Sequence, residues 1–104
     1  MEIRTKSENV TNELQYTLTS SKQVEKVSEN AGYIGTPTDY IIYQDGDKEV
    51  CCIRFEDGKM VGTNSPTFIR EIDAMIAAFN KIPRIKIESG TSKAGRTFFI
   101  PELA

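Results

Sequence analysis

The sequence predicts an α+β protein in which an antiparallel sheet packs against one long helix. Three features of the chain lead to this prediction. Strand-like runs within residues 39–63 are separated by two Asp-Gly dipeptides, which favour tight hairpins because glycine accepts positive φ angles. Apolar residues recur at helical spacing over residues 66–80. Two further strand-like runs enclose the glycine-containing segment 89–96, so the expected sheet is a three-stranded meander plus a C-terminal hairpin.

The N-terminal part of the chain is expected to begin with a polar segment and to continue as a strand. Residues 1–12 carry few large aliphatic side chains, and the alternatives for them are a flexible arm or an edge strand. Leu14, Tyr16 and Leu18 then alternate with polar residues, which is the period of a strand with one buried face. Residues 13–20 are therefore predicted to form a strand.

A short N-terminal helix is predicted to follow from Ser21. Val24, Val27 and Ala31 recur at spacings of three and four among polar residues, and Gly32 is suited to end the helix. The expected order along the chain is strand, short helix, three strands, long helix and two strands. This order is typical of an α+β layer and differs from that of a doubly wound fold.

The long helix has clear start and stop signals in the sequence. Ser65 is suited to be its N-cap, and Pro66 is suited to the first helical position. Pro83 prevents the helix from continuing into the last hairpin. Because the apolar stripe of this helix is broad and its opposite side is charged, we expect the helix to lie flat on the sheet.

Length and composition indicate a single domain over residues 1–104. Hydrophobic residues make up 38% and charged residues 27% of the chain, as in ordinary globular proteins. No apolar run approaches the roughly 20 residues that span a bilayer. The first residues contain no apolar secretory segment either. We therefore expect a cytoplasmic protein with no membrane partner.

The reactive side chains count against an enzyme. The chain has no histidine, which removes Ser-His and Cys-His nucleophile pairs, an imidazole base and His/Cys zinc sites. Cys51 and Cys52 are adjacent and cannot form an ordinary disulfide, and we expect one thiol in the core and the other partly exposed. No cofactor or metal is expected, because the acidic residues within 45–49 lack the spacing of a calcium-binding EF-hand loop.

Charge is distributed unevenly, and this leads to the first functional hypothesis. Residues 1–79 carry a net charge of −5, whereas residues 80–104 carry +3. The hairpin segment combines hydroxyls, cations and aromatic rings, which suits the backbone and bases of single-stranded nucleic acid. The expected binding residues are Arg84, Lys86, Lys93 and Arg96 for the backbone, with Tyr33 and Phe98 for base stacking. The alternative is a solvated hairpin whose phenylalanines belong to the core.

The acidic body of the chain leads to a second hypothesis, a protein-binding inhibitor. Its carboxylates would mimic phosphates and compete for the basic groove of a host nuclease or another nucleic-acid-processing protein. The residues expected to carry this interaction are Asp45, Asp47, Glu49, Glu56 and Asp57. Ordinary solvated turn chemistry is the alternative for these side chains. Under either hypothesis, an exposed edge strand in so small a sheet would allow a symmetric homodimer.

Two segments carry a resemblance to known proteins, Thr63-Asn64-Ser65-Pro66-Thr67-Phe68 and Ser92-Lys93-Ala94-Gly95-Arg96-Thr97-Phe98. They resemble segments of small uncharacterised proteins carried by bacteriophages and other mobile elements, and the similarity covers roughly the C-terminal half of the chain. The resemblance implies a setting, in which single-strand-binding accessories of replication and anti-CRISPR-like inhibitors of host defence are common. It implies no particular functional residues.

Overall fold

The computed structural model describes residues 1–20 and 22–104 and confirms the α+β class. Within these residues there are two α-helices and eight strands. In chain order the elements are β1 (Glu2–Lys6), α1 (Asn12–Ser20), β2 (Glu25–Lys26), a 3₁₀ turn (Val27–Glu29), β3 (Ile34–Gly35), β4 (Pro37–Asp45), β5 (Lys48–Phe55), β6 (Met60–Thr63), α2 (Pro66–Phe79), β7 (Ile85–Thr91) and β8 (Thr97–Leu103).

The strands form two sheets, so the prediction of a single sheet is wrong. One sheet has five strands in the order β1-β4-β5-β6-β2, and the other has three in the order β3-β7-β8. The predicted meander is confirmed as the antiparallel strands β4, β5 and β6, and the predicted hairpin as β7 and β8. The hairpin joins β3 instead of the meander. Beside β3, the Gly32 N–H donates to the Ile87 carbonyl at 2.7 Å, and the Ile87 N–H donates to the Tyr33 carbonyl at 2.9 Å.

The five-stranded sheet is covered on both faces. On one face, α1 contributes Leu18 to a small core that also contains Cys52. On the other face, α2 and β7 contribute Phe68 and Ile85 to a larger core that contains Cys51. Adjacent residues of β5 therefore serve two different cores. Both thiols are buried, so the prediction of one partly exposed cysteine is wrong.

The segment predicted as a strand over residues 13–20 is the helix α1, so that prediction is wrong. Leu14 and Leu18 fit an alternating pattern, but they are also four residues apart and share one side of a helix. Leu18 is buried, whereas Tyr16 between them is 73% exposed. The Thr11 hydroxyl accepts a hydrogen bond from the Leu14 N–H at 3.1 Å, which satisfies a free donor at the start of the helix.

The helix predicted from Ser21 is also wrong for the residues that the structure describes, and Ser21 itself lies outside them. The chain there forms β2 and the 3₁₀ turn. Val24 packs with the small core beside α1, whereas Val27 belongs to the larger core beside α2. These two valines therefore do not form one helical face, because the chain passes from one face of the sheet to the other at its β2 edge. The short N-terminal helix of this protein is α1.

The long helix begins and ends close to where the sequence predicts. The Ser65 hydroxyl accepts a hydrogen bond from the Phe68 N–H at 3.3 Å, and Pro66 is the first residue of α2. Asn80 follows the last turn with a φ of 60°, and its N–H donates to the Ile76 carbonyl at 2.8 Å. Among the described residues, no helix has the length and apolar character needed to cross a membrane.

The N-terminal segment contains an edge strand, which is one of its two predicted alternatives. β1 pairs with β4 in antiparallel orientation, with an irregular register between Ile3 and Thr5. Arg4 lies at this irregularity. Its guanidinium donates from Nε to Glu49 at 2.6 Å and from Nη2 to Asp73 at 2.8 Å. The edge strand is thereby tied to both β5 and α2.

Candidate nucleic-acid interface

The tip of the β7–β8 hairpin is a tight turn that presents two cations. The Ser92 N–H donates to the Arg96 carbonyl at 2.8 Å, and the Gly95 N–H donates to the Ser92 carbonyl at 2.9 Å. The turn favours glycine at position 95, where φ is 82°. Lys93 and Arg96 are exposed at this tip, and neither has an ion-pair partner in the part of the chain that the structure describes.

Phe98 lies partly exposed beside the tip. Its ring lies across the backbone of Gly90, which is its partner in the β7–β8 ladder. A Cβ atom at position 90 would lie 2.6 Å from Cζ of Phe98, so the glycine makes room for the ring. Phe98 is 37% exposed, whereas Phe99 packs against the larger core. The prediction that the phenylalanines belong to the core is therefore correct for Phe99, whereas Phe98 remains partly exposed.

A groove of about 580 Å³ lies between the hairpin and the start of α2. We call it the hairpin groove. Phe98 contributes to one wall, and the other walls come from β2, the 3₁₀ turn and the residues that precede α2. The polar residues that line it include Lys26, Ser28, Thr63, Asn64 and Ser65. Among the described residues that line the groove, Lys26 is the one charged side chain.

Sequence reasoning missed Lys26 and the hydroxyl residues of this groove. The spacing of its apolar neighbours predicts a helix at Lys26, and the sequence predicts Thr63 only as the end of a strand. Their proximity to Phe98 depends on contacts between elements that are far apart in the chain. No local pattern indicates such contacts. The resemblance segments do include Thr63 and Ser65, but the resemblance implies no role for them.

The other two predicted cations, Arg84 and Lys86, lie at the base of the hairpin. Lys86 and Lys93 are separated by most of β7, which corresponds to roughly 20 Å at about 3.3 Å per residue. The Lys86 ammonium is 3.1 Å from the Glu88 carboxylate. Residue Lys86 is paired with Glu102 in the β7–β8 ladder. The predicted basic residues therefore form two separate groups, and the Glu88 carboxylate offsets the charge of Lys86 in the group at the base.

Tyr33 belongs to a different cluster. Its hydroxyl donates to Asp57 at 2.7 Å, and its ring meets the Phe55 ring edge-on with centroids 4.9 Å apart. The Lys59 ammonium lies 5.1 Å from the centroid of the Tyr33 ring. Burial and the hydrogen bond to Asp57 raise the pKa of Tyr33 to about 12, and the same hydrogen bond lowers the pKa of Asp57. A base would have to displace Lys59 to stack on this ring.

The acidic residues of the second hypothesis are divided between two turns at opposite ends of β5. The β4–β5 end carries Asp45, Asp47 and Glu49, and the β5–β6 end carries Glu56 and Asp57. The length of β5 separates the two groups by roughly 25 Å. Arg4 binds Glu49, and Tyr33 binds Asp57. The other three carboxylates are exposed and have no ion-pair partner among the described residues.

Comparisons with known proteins do not place the chain in a family. It matches no protein-family model, and neither a curated protein nor a solved structure is found to be similar to it. The resemblance to phage-borne proteins therefore stays a prediction. Within residues 1–20 and 22–104, no three His, Cys, Asp or Glu side chains lie close enough together to hold a metal ion. Function is accordingly inferred from the hairpin groove and its surroundings.

Proposed function

We propose that this protein is a non-catalytic binding protein that holds single-stranded nucleic acid at the hairpin groove. The observation that carries the proposal is the partly exposed Phe98 ring beside the hairpin groove, which contains Lys26. Next to it are Lys93 and Arg96, which have no ion-pair partner among the described residues. An aromatic ring among cations suits a flexible strand, because every base has a face that can stack. The proposed setting is the cytoplasm of a cell that carries a phage or another mobile element.

Each group in the site has a separate role in this proposal. Phe98 stacks on one base, and the turn at the hairpin tip holds Lys93 and Arg96 where they contact flanking phosphates. Lys26 binds a phosphate from the opposite wall of the groove. The Ser28 hydroxyl supplies a hydrogen-bond donor for a sugar or phosphate oxygen. These contacts recognise the backbone and a base face, so little sequence preference is expected.

Three cations lead us to expect a modest affinity that depends on salt. For single strands, log K falls with log salt by about 0.7 per phosphate contact, so three contacts correspond to a slope of about −2. Between about 50 and 200 mM salt, this slope weakens binding roughly 20-fold. The net charge of −5 over residues 1–79 opposes wider electrostatic contact. Duplex should bind more weakly, because paired and stacked bases offer no free face to Phe98.

Charge reversal at the hairpin tip tests the proposal. Lys93→Glu with Arg96→Glu is expected to abolish detectable binding of a labelled single strand in a fluorescence-anisotropy titration. The matched control, Lys48→Glu with Lys81→Glu, changes net charge equally at exposed positions outside the groove and should keep the affinity within about 3-fold. Equal losses of affinity in the two variants would show that binding depends on overall charge and not on the hairpin tip. Unchanged binding in the first variant would exclude the hairpin tip.

An acidic inhibitor of a host nuclease is the second candidate, and one observation favours it. Asp45, Asp47 and Glu56 are exposed and have no ion-pair partner among the described residues, so they are available to a basic partner. Asp45→Lys with Glu56→Lys should abolish inhibition of a nuclease with a basic groove and leave single-strand binding intact. A protein that inhibits such a nuclease but binds no single strand would favour this candidate over the first.

A further inference from the structure

The groove between α2 and β8 is a second surface, separate from the hairpin groove. It has a volume of about 400 Å³, and its lining includes Ala74, Ala78 and Pro101. Phe79 and Leu103 also line it and are 47% and 62% exposed. We call this surface the apolar groove. Large apolar side chains exposed together beside an apolar groove are typical of a surface that binds another protein.

Addition of a further strand along β8 is disfavoured by Pro101. The Ser92 N–H donates to the Arg96 carbonyl at one end of the ladder, and the Ala104 N–H donates to the Arg84 carbonyl at the other. Hydrogen-bonded pairs alternate with non-bonded pairs in an antiparallel ladder, which places Pro101 at a non-bonded position facing the free edge. Proline has no N–H to offer to a strand there.

A second copy of this chain is also a poor occupant of the apolar groove. The charged residues that line it are Glu71 and Glu102. Neither has an ion-pair partner within residues 1–20 and 22–104. In a two-fold contact between copies, the same carboxylates would approach one another across the interface. Like charges at such short range oppose association, whereas cations on a different partner would complement them.

We propose that the apolar groove binds an amphipathic helix of a partner protein, with apolar residues along one side and Lys or Arg beside them. Ala74 and Ala78 are one helical turn apart on α2, and their small side chains let the backbone of a docked helix approach closely. Phe79 and Leu103 contact the apolar side of the partner helix. The two carboxylates at the rim bind its cations, which sets the orientation of the helix.

Two labelled synthetic helical peptides test this proposal. One has leucines along one side with lysines beside them, and the other has glutamates in place of the lysines. In an anisotropy titration of the whole protein, the lysine peptide is expected to bind at least ~10-fold more tightly than the glutamate peptide. Glu71→Lys with Glu102→Lys should invert this preference. Phe79→Ser with Leu103→Ser should weaken the lysine peptide by ~10-fold or more.

Several results would overturn the proposal. The first is that the lysine peptide does not bind. The second is that charge reversal leaves the peptide preference unchanged. The third is that the amide shifts in an NMR titration lie away from α2 and β8. Sedimentation showing a dimer that the Leu103→Ser change disrupts would assign the groove to a second copy. The Lys93→Glu, Arg96→Glu variant should still bind the lysine peptide, so the proposals for the two grooves can fail separately. Circular dichroism checks that each variant is folded.

Discussion

Replacing Arg4 with alanine tests how the edge strand β1 is held in place. Arg4 donates two hydrogen bonds to Glu49, at 2.6 and 3.1 Å, and two to Asp73, at 3.1 and 2.8 Å. One side chain therefore joins β1 to β5 and α2. The same hydrogen bonds raise the pKa of Arg4 above its already high usual value, so the guanidinium stays charged throughout the range in which the protein would be studied.

The expected loss is about 1–2 kcal/mol in the free energy of unfolding. Exposed ion pairs contribute roughly 0.2–1 kcal/mol each, and forked geometry with two hydrogen bonds favours the upper part of that range. The side chains of Arg4, Glu49 and Asp73 are 42%, 33% and 39% exposed, so solvent screening keeps the contribution of each pair small. Removing the cation also leaves two carboxylates close together, which adds repulsion to the lost attraction.

Urea unfolding followed by circular dichroism measures this loss. The m-value should stay unchanged, because the variant keeps the same buried surface. Lys6→Ala is a matched control on the same strand, since among the described residues the Lys6 side chain donates only a 3.3 Å hydrogen bond to Gln15. The difference between the two variants should shrink in high salt. If Arg4→Ala costs no more than the control, the β1–β4 ladder alone holds the strand and the reasoning above is refuted.

Three further outcomes follow from individual side chains. The lowered pKa of Asp57 stabilises the fold above the ordinary carboxyl pKa of 3.8, and this contribution is lost as pH falls through the lower folded value. Tyr33→Phe removes the hydrogen bond to Asp57, so the melting temperature of this variant should fall less steeply as pH is lowered through the acid range. An unchanged pH dependence would contradict the role of this hydrogen bond. Phe98→Ala should weaken single-strand binding roughly 5- to 150-fold without changing the salt slope, since stacking contributes about 1–3 kcal/mol per base. Unchanged affinity would remove Phe98 from the site. Burial raises the pKa of Cys52 to about 11 and that of Cys51 still further, so a thiol reagent should react slowly with both until the protein unfolds, and fast native reaction would contradict their burial.

The parts of the fold that local chemistry specifies were predictable from the sequence. Asp-Gly dipeptides mark the turns of the meander, and Ser65 with Pro66 marks the start of α2. The turn at Gly95 likewise lies within the segment predicted as a hairpin. In each case the residues that determine the backbone conformation are neighbours in the chain, so their pattern can be seen without knowing the tertiary structure.

The N-terminal third was mispredicted because one spacing fits two structures. Leu14 and Leu18 match both a strand and a helix, and the N-cap at Thr11 is the signal that favours the helix. Val24 and Val27 look like one helical face but belong to cores on opposite sides of the sheet. The two-residue strand β3 is too short to have a recognisable period, so the separation into two sheets had no sequence signal.

The candidate site was predictable only in part for the same reason. The hairpin tip, with Lys93 and Arg96, follows from a contiguous segment of sequence. Separation along β7 removes Lys86 from that group, and a contact with Asp57 places Tyr33 in another cluster. The walls of the hairpin groove come from elements that are distant in the chain, and Lys26 enters the site through tertiary packing alone.

The most direct test of the central proposal is an anisotropy titration of labelled single-stranded and duplex DNA at low and physiological salt. The hairpin groove predicts micromolar binding of the single strand, weaker binding of the duplex, and a log–log salt slope of about −2. Equal affinity for the two forms, or no single-strand binding even at low salt, would contradict the proposed function. The second result would direct attention to the exposed carboxylates Asp45, Asp47 and Glu56 and to a protein partner.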